Sequence, residues 1–103
     1  MFGDMFGQVE EQQKALKEKL GKITVEGIAG DGAITVTSTA NREIVNISIN
    51  KDLLDMEDVE QIEDLVMVAV NRALEKAALK EAEATQGLLK DMLPPGFDNL
   101  FGG

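Results

Sequence analysis

Apolar residues recur every seven positions at the start of the chain, at Phe2, Val9, Leu16 and Ile23, with Met5, Phe6 and Leu20 beside them. A heptad-like recurrence lines these side chains along one side of a helix. Gln12 and Gln13 interrupt the stripe, which argues against a strong autonomous coiled coil. Gly21 is a natural stop, because glycine readily takes the left-handed conformation after a last helical turn. The pattern predicts a first helix over about 4–21.

The period then changes to two. Ile23 and Val25 alternate with Thr24 and Glu26, Ile34 and Val36 with Thr35 and Thr37, and Val45, Ile47 and Ile49 with Asn46, Ser48 and Asn50. Each reads as a strand with one buried face. Gly30-Asp31-Gly32 links the first pair with residues suited to positive φ, and Ala40-Asn41-Arg42 links the second. Links this short make an antiparallel meander, since parallel strands need long crossovers. One face of that sheet requires a helix or a partner to cover it.

Asp52-Leu53-Leu54-Asp55 reads as a turn with a short helical piece, and a long helix follows from about Met56 to Met92. The run from Leu65 to Val70 is strand-like in isolation, but helix-favouring residues continue on both sides of it. Its all-round apolar character predicts burial on most sides, where the helix crosses the sheet and a subunit partner. Past Leu74 the composition turns to Ala, Lys and Glu, as in an exposed helical arm. Pro94-Pro95-Gly96 ends the helix, because proline cannot continue its hydrogen bonding. The fold expected is α+β: an N-terminal helix, a three-stranded antiparallel meander and a long C-terminal helix. Residues 1–103 are expected to form a single domain, with a mobile tail at 94–103.

Composition narrows the function. There is no Trp, Tyr, His or Cys, and the aromatics are Phe2, Phe6, Phe97 and Phe101, all near the ends. The middle must build its core from small and aliphatic side chains, which is thin for one protomer and predicts a homodimer. Without His or Cys, general-base and nucleophile options shrink to carboxylates, Lys, Ser and Thr, which disfavours an enzyme. No disulfide is available, no apolar run reaches the roughly 20 residues of a membrane span, and the N-terminus lacks a basic leader. A cytoplasmic location without membrane contact follows as the expectation. Gly27 to Gly32 is glycine-rich but joins two strands, so it reads as a hairpin turn rather than a phosphate loop. Neither a cofactor nor a metal is expected.

Charge is unevenly distributed. The chain carries −9 overall, with residues 14–22 at +3, residues 51–71 at −6 and residues 72–90 at +1. The seven acids from Asp52 to Asp64 lack calcium-loop spacing and suit the start of a helix, where free N–H groups favour negative charge. Arg72, Lys76 and Lys80 fall at i, i+4 and i+8, one side of a helix. Glu75 and Glu83 are placed to pair with Arg72 and Lys80. Lys14, Lys17, Lys19 and Lys22 form a second group, of which Lys14, Lys17 and Lys22 are the candidate contacts, with Glu10 and Glu18 placed to pair with Lys14 and Lys22. On residues alone each group reads either as a solvated helix face or as a polyanion contact. No aromatic set for base stacking accompanies them, which disfavours single-strand recognition of that kind.

Several motifs occur in one order: Val25-Glu26-Gly27, Ala29-Gly30-Asp31-Gly32, Glu63-Asp64-Leu65-Val66, Ala69-Val70-Asn71-Arg72-Ala73 and Leu93-Pro94-Pro95-Gly96-Phe97. With the Gln-bearing amphipathic first helix, this arrangement resembles the YbaB/EbfC family of small bacterial nucleoid-associated proteins along nearly the whole chain. Where that family often carries Ile-Asp-Pro after the third strand, this chain reads Ile49-Asn50-Lys51. The resemblance implies a homodimer joined through its sheets with projecting helical arms. It also implies duplex DNA as partner, a nucleoid location and little catalytic chemistry. The Asn71-Arg72 region falls on the long helix. Helical spacing, rather than the motifs, adds Lys76 and Lys80 as phosphate contacts, and Lys14, Lys17 and Lys22 are the candidates on the first helix. The alternative is an acidic protein-interaction module of the same fold, using the Asp52–Asp64 belt or the tail with Phe97, Leu100 and Phe101.

Overall fold

A computed structural model describes residues 2–92, and its side chains at 7 and 9–90. The tail expected at 94–103 lies outside the described residues. Helix α1 runs Phe2–Gly21, strands β1, β2 and β3 run Thr24–Ala29, Ile34–Thr39 and Ile44–Ile49, and helix α2 runs Val59–Met92. The fold is the predicted one. Helix α1 begins earlier than 4, since Phe2 already lies on the heptad stripe. Helix α2 begins three residues later than Met56. Asp58 caps it, accepting the Gln61 N–H on Oδ1 at 3.2 Å, and Asp55 Oδ1 holds the preceding turn through the Glu57 N–H at 3.0 Å. Between β3 and that turn, Lys51–Leu53 forms one 3-10 turn capped by Asn50.

The sheet order is β1-β2-β3, antiparallel throughout. Gly30, Asp31 and Gly32 all have positive φ, as a tight hairpin between β1 and β2 requires. Arg42, also at positive φ, closes the second hairpin. Val25, Gly27 and Ala29 pair with Ser38, Val36 and Ile34, and the same sheet face continues onto β3 at Ile44, Ile47 and Ile49. Val45 is the extra residue of an irregularity opposite Thr37 and Ser38.

Helix α2 lies on that face, over β1 and β2. Its buried stripe is Ala69, Ala73 and Ala77, each fully buried. Gly27 makes the approach possible. A Cβ there would collide with the Ala69 carbonyl and the Ala73 N–H, so any other residue would lift the helix off the sheet. Gly27 is therefore a strand residue that admits a helix, not part of the hairpin turn with which its glycine-rich surroundings group it. Around this crossing Ala29, Ala33, Ile34 and Val36 form the core, with Leu54, Ile62, Leu65, Val66 and Val70 packed at its margin. The core is small, and its largest fully buried side chains are Ile34, Val36 and Ser38.

Strand β3 finds no cover within the protomer. Its alternation predicts a buried face at Val45, Ile47 and Ile49, yet all six residues are exposed in the protomer. Helix α2 sits toward β1, where Gly27 admits it, and leaves β3 uncovered. Met67 and Val68, within the run expected to be buried on most sides, are likewise exposed.

Helix α1 joins the sheet at one end only. The Ala40 N–H donates to Leu20 O and Ile23 O, and Asn41 Nδ2 donates to Lys17 O at 2.8 Å, which occupies carbonyls at the end of α1. Arg42 Nε pairs with Glu81 at 3.4 Å and ties the same hairpin to α2. Only beyond that point do α1 and the last turns of α2 run side by side as an arm; the helix is still packed at Ala77, so the arm begins later than Leu74, and Arg72, Lys76 and Lys80 precede it. The radius of gyration, 19.2 Å, far exceeds the roughly 13 Å of a compact domain of about 100 residues.

Candidate nucleic-acid interface

The cations of α2 begin one residue before its buried alanines. Arg72 and Lys76 precede Ala73 and Ala77, a rotation of about 100° from the buried stripe. Arg72 therefore emerges at the flank of the sheet contact. Its Nη1 donates to Ile28 O at 2.6 Å, across the outer edge of β1, and it does not pair with Glu75. Lys76, one turn on, is exposed and makes no ion pair among the described residues. Lys80 pairs with Glu83 at 3.5 Å, as its spacing predicts, with both side chains largely in solvent. An exposed pair of that kind contributes at most about 1 kcal/mol, so it is easily exchanged for a stronger anion.

On α1, Lys14 and Lys17 line a shallow groove of about 250 Å³ with Glu10 and Gln13. Lys22 lies at the base of the arm, in the turn that leads into β1. The pairs expected at Glu10–Lys14 and Glu18–Lys22 do not form salt bridges among the described residues. Lys14 and Lys17 thus share a site, and Arg72, Lys76 and Lys80 share a helix side. No hydrogen bond or ion pair joins the two groups among the described residues. Lys19, outside the predicted set of DNA contacts, rims a larger groove of about 340 Å³ between the helices, facing Glu83, Gly87 and Leu88 from beside Leu16. Its signal in the sequence is its place in the basic run of 14–22.

The acid belt is remote along the same helix, while Glu75, Glu81 and Glu83 stand among the cations of α2. Asp64 precedes Lys76 by twelve residues, about 18 Å of helix axis. That is about twice the distance over which salt screens exposed charges at physiological strength. The charge of the belt is therefore largely screened at Lys76 and Lys80. No group of three or more carboxylates is arranged to hold a metal ion among the described residues. No described helix is long and apolar enough to cross a membrane.

Known proteins resemble this chain along most of its length. A nucleoid-associated protein of Thermoanaerobacter pseudethanolicus is 42% identical over 85 residues, covering 79% of this chain and 77% of its own. One from Flavobacterium johnsoniae is 35% identical over 102 residues, 94% of each chain. The crystal structure of an uncharacterised Helicobacter pylori protein matches the fold with a TM-score of 0.68 at 22% identity, over 90% of this chain and 94% of that one. The model of the YbaB/EbfC DNA-binding family matches residues 1–92, the same span that holds both helices, the sheet and both groups of cations, and the chain belongs to that family.

Proposed function

We propose that this protein is a cytoplasmic, nucleoid-associated homodimer that binds duplex DNA without catalysis, mainly through phosphate contacts from its two helices. The reading is carried by one observation: membership of a DNA-binding family, in a chain that exposes cations on both of its helices. Lys76, Lys14, Lys17 and Lys22 are the first contacts, being exposed and unpaired among the described residues. Lys80 joins them by exchanging Glu83 for a phosphate, and Arg72 contributes the donors that Ile28 O does not occupy. Such contacts position the duplex more than they read its sequence.

The homodimer reading is supported by β3. Ile44, Val45, Ile47 and Ile49 are 36–53% exposed on an unpaired edge, and a second copy pairing along it buries them. Two chains then present two arms. A second reading has its own observation: Leu53, Met56 and Val59 are exposed amid the acid belt, a surface suited to a protein partner. Titrating labelled duplex DNA across a salt series separates the two. For DNA binding, Lys76→Gln/Lys80→Gln and Lys14→Gln/Lys17→Gln each weaken affinity and make the salt slope shallower by about 1 for every phosphate no longer engaged. Titrations that these variants leave unchanged would favour the protein-interaction reading.

A further inference from the structure

The sheet has two free edges in the protomer, and they differ in what stands along them. In an antiparallel strand, alternate residues turn both backbone groups toward the same neighbour. Ile28 belongs to the outward set of β1, because its carbonyl is taken by Arg72 Nη1. At the two-residue period Glu26 and Thr24 belong to it as well. Thr24 adjoins the end of α1, where the Ile23 N–H donates to Leu20 O and closes the turn. Glu26 places an exposed carboxylate at mid-strand. Arg72 covers the remaining outward carbonyl. Charged side chains and covering groups on an edge are what keep it from pairing with another chain.

Strand β3 has none of these. From Ile44 to Ile49 it contains no charge, no proline and no glycine. If β3 pairs with β3 of a second copy, the β1 edges become the two outer edges of the assembly. A β1 edge that paired with β1 of another dimer would then link dimers through two alternating two-fold contacts. Such a series does not close and grows into an open chain.

We propose that Arg72, assisted by Glu26, closes the β1 edge, and that the surface it closes is a pairing site for β1 of another copy of this chain. Antiparallel β1–β1 pairing about Glu26 sets two carboxylates opposite each other, which is unfavourable. Arg72 occupies a carbonyl that the incoming strand would need. Assembly thus stops at the dimer. The inference rests on the reading of β3 as the dimer edge only for the size of the unit that would grow.

The test is sedimentation velocity without DNA, across a concentration series. Wild type is compared with Arg72→Ala, Arg72→Gln, Arg72→Ala/Glu26→Thr and Lys90→Ala. Ala and Gln are good helix formers, so α2 persists, and circular dichroism verifies it. Wild type and Lys90→Ala, which removes a remote charge, hold one mass at all concentrations. Both Arg72 variants grow with concentration, by roughly twofold or more in average mass as dimers join, and the double variant grows further. Folded Arg72 variants and a folded double variant that all sediment as wild type would overturn the proposal. A wild-type monomer would instead overturn the β3 reading, while growth of the Arg72 variants from that monomer would still support a closed β1 edge.

Discussion

Strands β1 and β3 are the two edges of one sheet and each is six residues long, yet they meet solvent in opposite ways. β1 buries every second residue beneath α2, carries Glu26 on its outer face and has its edge bonded by Arg72. β3 buries nothing and exposes four large aliphatic side chains. The difference comes from one glycine. Gly27 has no Cβ, so α2 settles against β1 and cannot also reach β3. Where a helix lands on a three-stranded sheet thus decides which edge is covered within the chain and which is left bare.

The largest effect is expected where the two edges are set apart. Gly27→Val drives a branched side chain into the Ala69 and Ala73 backbone. It should destabilise the fold by about 4 kcal/mol or prevent folding, as read by urea or thermal unfolding. A variant as stable as wild type would mean that α2 does not rest on β1 as described. Next comes β3 itself. Ile47→Asp places a charge at the centre of the apolar edge, and should weaken self-association by about 100-fold or more, since an unpaired charge buried at an interface costs several kcal/mol. Sedimentation equilibrium measures it, and an unchanged dimer would move the interface away from β3. The smallest effect belongs to a feature that serves both edges equally. Asp58→Ala removes the cap of α2 and should cost about 1 kcal/mol without altering the association constant.

Much of this is legible in the residues. The heptad stripe and the three alternating runs predict the element types and order, because amphipathic periods report a local geometry. Alternation in β3 also reports a face that needs cover, but not whether a helix or a partner supplies it; within the protomer the helix does not. Gly27 is visible but groups with the hairpin glycines, since its purpose depends on a helix 42 or more residues further on. Composition starts α2 too early because Met56-Glu57-Asp58 shares the helix's acidic character, while the capping bond from Asp58 fixes the boundary. Of the candidate contacts, the Lys80–Glu83 pair follows from spacing alone. The bond from Arg72 to Ile28 does not, because it joins elements 44 residues apart.

On the proposed function, a chain at −9 still binds duplex DNA, through local cations on its helices. The most direct test is the affinity of the purified wild-type protein for a duplex as salt is raised. Binding should be measurable at low salt, with log affinity falling linearly against log salt by about 0.9 per phosphate engaged, a slope of roughly −4 to −7 for four to eight contacts. Absence of binding even at low salt, or an affinity indifferent to salt, would contradict it.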